Sequence, residues 1–136
     1  MQRLSRLQRR ILALLEEAGE DSLGTLINTV AIPKGSPDEL LATQKALKGL
    51  VGAGLIQLGF ELRPISYHTT LLSSKDATRL LDQLDNAMQW SPAVGYWIGR
   101  EGVPLYNVQV TDSGYETAKT ILEEDGWPTQ PLPGYE

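Results

Sequence analysis

Ser36 to Leu58, SPDELLATQKALKGLVGAGLIQL, reads as a capped helix that ends on a glycine and runs directly into a strand. Ser36 is placed to cap the first orphan amides, Pro37 suits the first helical position, and Glu39 stands where a side chain can bond back to the Ser36 amide. Leu40, Thr43, Leu47, Leu50 and Val51 then fall on one helical face. Gly54 follows the last turn, where a positive φ is commonly required and glycine meets no Cβ clash. From Ile56 onward, Leu58, Phe60 and Leu62 alternate as a strand.

Outward from this stretch, Leu4, Leu7, Ile11, Leu14, Leu15 and Ala18 form the apolar stripe of a first helix that Gly19 ends. A second helix is expected from about Ser22 to Ile32, with Leu23, Leu26, Ile27 and Val30 inward, and Pro33 to Gly35 form the loop before Ser36. Beyond the strand, Ser73 or Ser74 caps a helix whose apolar face is Ala77, Leu80, Leu81, Leu84 and Met88. A strand is expected over Val94 to Ile98, then a turn over Gly99 to Gly102 and a strand over Val103 to Val110. Thr111 or Asp112 caps a last helix reaching about Glu124, and prolines 128, 131 and 133 keep the tail from 126 to 136 out of regular structure.

Composition bounds the function classes. A chain of 136 residues is most economically a single domain, here 1–125 followed by the Pro-rich tail. It has no cysteine, so neither disulfides nor thiolate metal sites are available, and a cytoplasmic setting is expected. No apolar run nears the roughly 20 residues of a membrane span. The net charge of -5 is unevenly spread: residues 1–60 hold seven Lys/Arg against six Asp/Glu, and residues 61–136 hold five against eleven.

Ser36–Leu58 together with Tyr106–Leu122, YNVQVTDSGYETAKTIL, resembles the recognition helix and first wing strand, then the second wing strand and closing helix, of bacterial winged-helix regulators of the MarR-like and PadR-like kind. The resemblance covers about 4–62 and 105–124, leaving 63–104 as an insertion in the wing. It implies an α+β winged helix-turn-helix with an enlarged wing carrying an extra helix, acting as a sequence-specific regulator on double-stranded DNA, as a homodimer because paired half-sites need two recognition helices. Matched onto this sequence, Gln44, Lys45 and Lys48 take the exposed recognition-helix positions, and Arg63 and Arg100 fall on the wing.

The residues themselves qualify that expectation. Arg3, Arg6, Arg9 and Arg10 stand in the first turns of a helix, against its macrodipole, so they answer to a negatively charged partner or to the acidic second half of the same chain. Asp38 and Glu39 stand at the helix start that normally faces the groove, where carboxylates repel phosphate. Leu41 on the same side suits a protein partner. Catalysis finds little footing: His68 is the only histidine, and Ser66, Thr69 and Ser73 match no nucleophile motif. No cofactor, metal or catalytic residue is expected. A protein-interaction module is the second reading, and a ligand-sensing module with a pocket under the insertion's aromatics is the third. Electrostatic layout separates the first two: a DNA binder would gather Arg3, Arg6, Lys45, Lys48 and a wing arginine on one continuous face, whereas an adaptor would intersperse them with Asp38, Glu61 and Asp82.

Overall fold

The computed structural model describes residues 3–30, 37–61, 69–100 and 105–126. The fold is mixed α+β: six helices, a four-stranded antiparallel sheet and a separate two-stranded one among the described residues.

α1 (Arg6–Ala18) begins at Ser5, whose hydroxyl accepts from the Gln8 amide at 3.1 Å while Gln8 Oε1 accepts from the Ser5 amide at 2.9 Å. This is a reciprocal capping box, and Gly19 closes the helix at its other end. Leu7, Ile11 and Leu15 are buried as the stripe requires, and Leu12 is buried as well, because α1 is covered on two sides by α3 and α6. After a short strand absent from the sequence reading, β1 (Glu20–Ser22), comes α2 (Leu23–Val30), with the four expected residues buried.

α3 (Pro37–Gly52) buries the expected Leu40, Thr43, Leu47, Leu50 and Val51, and also Ala46 and Glu39. Ser36 and the loop before it lie outside the described residues. At the far end Gly54 has φ 74°, the Gly54 amide bonds Val51 O at 3.0 Å and the Leu55 amide bonds Leu50 O at 3.0 Å. That hydrogen-bond pair is a Schellman motif, and it turns the chain straight into β2 (Ile56–Glu61).

The two stretches that carried the fold reading meet at this junction. β6 (Leu105–Val110) pairs with β2 over its whole length, and Thr111 caps α6 (Asp112–Asp125) by accepting from the Gly114 amide at 3.0 Å. Thr111 Oγ1 also donates to Gly54 O at 2.7 Å, and the Thr111 amide donates to Leu55 O at 3.1 Å. Gly114 packs so tightly on the Leu55 carbonyl that a Cβ there would overlap it. The strand order is β1-β6-β2-β3, with β3 (Thr70–Leu71) at the edge, so the late strand β6 lies between two early ones.

The insertion departs from the sequence reading. Its helix does not run through to Met88: α4 (Ser74–Asp82), capped by Ser73, stops at Gln83, a single turn α5 (Leu84–Ala87) follows, and Met88 starts a strand. Ala77, Leu81, Leu84 and Met88 are all buried regardless, because the four positions face the same core from helix, turn and strand in succession. β4 (Met88–Ser91) and β5 (Tyr96–Gly99) form their own hairpin apart from the main sheet, so the expected strand at 94–98 is shifted and gains a partner. No helix among the described residues is long and apolar enough to cross a membrane.

Candidate interaction surface around α1 and α3

α3 is embedded on most sides. α1 and α2 lie behind it, and α4 and α5 pack along one flank. What remains outward is a single stripe of Asp38, Leu41 and Lys45, with Leu41 47% exposed and Gln44 and Lys48 half-buried beside it. Between this stripe and the start of α1 runs an open groove of about 750 Å³ lined by Arg3, Leu4, Arg6, Asp38, Leu41 and Lys45. Gln8, after completing the α1 cap, reaches across to donate to Ala46 O at 3.3 Å and fixes the spacing of the two helices.

The predicted cations divide. Arg3, Arg6 and Lys45 converge on that groove, with Asp38 among them. Lys48 is ion-paired with Asp82 of α4. Arg10 corrects the expectation of an exposed contact: it is 8% exposed, its Nη2 directed at Thr29 O at 3.5 Å, and burial pushes its guanidinium pKa down. It occupies the inward side of α1, three positions past the buried Leu7, which places it under α2. Arg9 binds the end of α6 instead, with Nη2 to Glu124 at 2.8 Å and Nε to Asp125 at 2.9 Å. Those charge-assisted bonds raise the Arg9 pKa and hold Asp125 below the usual carboxylate value. The acidic second half thus neutralises part of the basic first half. Arg63 and His68 lie outside the described residues. Thr69 donates to Glu61 Oε1 at 3.2 Å.

Arg100 stands on the other side of α3. Its Nη1 donates to Gln89 at 3.2 Å, and with Asp38, Gln44, Asp85 and the Trp90–Trp97 pair it lines a second cavity of about 460 Å³. The two indoles meet edge to face, centroids 5.7 Å apart and planes at 69°. Trp97 Nε1 is buried with no hydrogen-bond partner.

One residue that positions all of this escaped the sequence reading. Asn28 in α2 accepts from the Trp97 amide and donates to the Trp97 carbonyl, both at 2.9 Å, so its side chain imitates a neighbouring strand along the outer edge of β5. Its signal was an amide inside a short helix, a place that disfavours asparagine unless the side chain has a partner.

Comparison with protein-family models, with curated proteins and with solved structures gave no match.

Proposed function

We propose that this chain is a winged-helix module that binds a protein partner along the outward stripe of α3 and its groove with α1. Three helices leading into β2, with β6 returning beside it as the second wing strand, support the winged-helix architecture. Architecture alone does not select a ligand. The observation that carries the reading is the composition of the stripe: a carboxylate, an apolar side chain and a cation at Asp38, Leu41 and Lys45, with the flank beyond closed by α4 and Lys48 committed to Asp82. A helix read by the major groove needs a wide accessible face and cations uncompensated within the fold. A mixed stripe beside an apolar-floored groove suits a polypeptide surface.

DNA binding stands as the second reading, favoured by the convergence of Arg3, Arg6 and Lys45 on one groove. Anisotropy of labelled duplexes over a salt series separates the two. The protein-partner reading expects no binding at low salt, together with discrete protein adducts from a photo-crosslinking residue at position 41 and none from a control at Ser113. Low-salt duplex binding whose log–log salt slope flattens by about one unit in Lys45→Ala would install the DNA reading in its place.

A further inference from the structure

The groove between α1 and α3 has helical segments for both walls, so no strand edge borders it for a partner to extend. Its outward stripe stands at helical intervals: Asp38, Leu41 and Lys45 are spaced i, i+3 and i+7, the seam along which one helix packs on another. Leu41 is the exposed apolar member of that seam, and Leu4 and Ala42 line the groove half-buried beside it. The charge there is unbalanced. Arg9 is engaged by Glu124 and Asp125 and Lys48 by Asp82, whereas no ion pair holds Arg3 or Lys45 among the described residues. Asp38 is the one carboxylate among the described residues lining the groove, and its place in the first turn of α3 answers to that helix's own dipole.

We infer that the partner of this groove is an amphipathic helix that sets an apolar ridge on Leu41 and Leu4 and carries carboxylates beside that ridge, opposite Lys45 and Arg3; this rests on the protein-partner reading of the same groove. Spacing and walls select a helix, and the uncompensated cations select its sign. A third helix laid along α1 and α3 buries the part of Leu41 that now faces water, and carboxylates at its margin meet the two cations that have no ion pair among the described residues. The net charge of -5 does not oppose this, because eleven of the seventeen acidic residues fall in 61–136 and exposed charges more than roughly 8 Å apart are largely screened at physiological salt. Glu124 and Asp125, which meet α1 one turn past Arg6, are already held by Arg9.

Fluorescence anisotropy on the full chain tests this with three labelled peptides of about 18 residues, long enough to form a helix, that share one leucine ridge and carry Glu, Gln or Lys beside it. At low salt the Glu peptide should bind about fourfold more tightly than the Gln peptide, and the Lys peptide most weakly, because two exposed ion pairs each contribute a factor of about two. The gap should close as salt rises. Arg3→Glu with Lys45→Glu, both at exposed positions, should put the Lys peptide ahead of the Glu peptide, while Lys119→Glu on the exposed side of α6 should leave the order as it was. Leu41→Ala should weaken all three. Peptides that bind alike, or none that binds, would overturn the assignment, and so would a labelled duplex that binds more tightly than the Glu peptide at the same salt. Crosslinks from position 41 alongside a failed peptide order would sink the acidic helix alone and leave the protein-partner reading standing; the absence of both would remove the two together.

Discussion

At the residue scale the fold turns on contacts that leave no room for a side chain. Gly114 sits against the Leu55 carbonyl in the first turn of α6, so Gly114→Ala must move either the helix or the α3–β2 junction, at a cost of about 1 to 3 kcal/mol. Gly54→Val puts a β-branched residue at φ 74°, and the left-handed backbone alone costs about 1 to 2 kcal/mol. Urea melts of both variants should show lowered midpoints, and an unshifted midpoint for either would mean that the junction is not built as described. Asn28 gives a sharper test, because Asn28→Asp keeps the acceptor for the Trp97 amide and loses the donor to its carbonyl, whereas Asn28→Ala loses both. Leaving partly buried backbone groups unsatisfied costs roughly 1 to 3 kcal/mol. Both should loosen the hairpin and alter tryptophan emission, with alanine the more severe.

At the scale of elements, α1 and α6 are held by apolar packing and by the Arg9 clamp on Glu124 and Asp125. Asp125 has its pKa depressed in the folded chain relative to the ordinary 3.8, so its contribution is present above that value and disappears as pH falls through the folded one. Arg9→Gln should flatten the dependence of the melting temperature on pH below about 4, and high salt should mimic it because the pair is largely solvent-exposed. In the insertion, Leu81→Asp with Leu84→Asp would place two carboxylates at positions 0% exposed. Circular dichroism should record loss of the fold, since an unpaired buried charge costs several kcal/mol; a double variant with native helicity would mean that the insertion is an appendage.

The same scale shows what the sequence could reveal. Helix faces, the caps at Ser73 and Thr111 and the glycine stop between α3 and β2 were legible because each is set by residues within a few positions of one another, while the Ser5 capping box of α1, as local as these, is found only in the structure. β1 and β3 were not, since strands of three and two residues carry no period and exist only by pairing with β6 and β2. The break at Gln83 was hidden because one apolar spacing serves a helix, a turn and a strand facing a common core. Among the candidate site residues, Lys45 was legible as a surface cation of α3. The engagement of Lys48 by Asp82, of Arg9 by the end of α6, and the burial of Arg10 depend on which distant segment packs alongside, and no local pattern records that.

For the whole molecule the decisive fact is that β6 enters the sheet between β1 and β2, and that α6 then covers α1. The first 61 residues hold α1, α2, α3 and β2, yet β2 pairs with β6 over its whole length, and β6 is the only strand partner of β1 among the described residues. A fragment ending at residue 104 should therefore keep some helix by circular dichroism but lack a cooperative thermal transition, because one edge of β2 and the α1 surface under α6 would face water. Adding a peptide spanning 105–136 in trans should restore the transition, in proportion to peptide concentration, since binding only the folded form stabilises it by mass action. If the 1–104 fragment melts cooperatively by itself, the helical part is an independent folding unit. The late strand and closing helix would then be accessories to it.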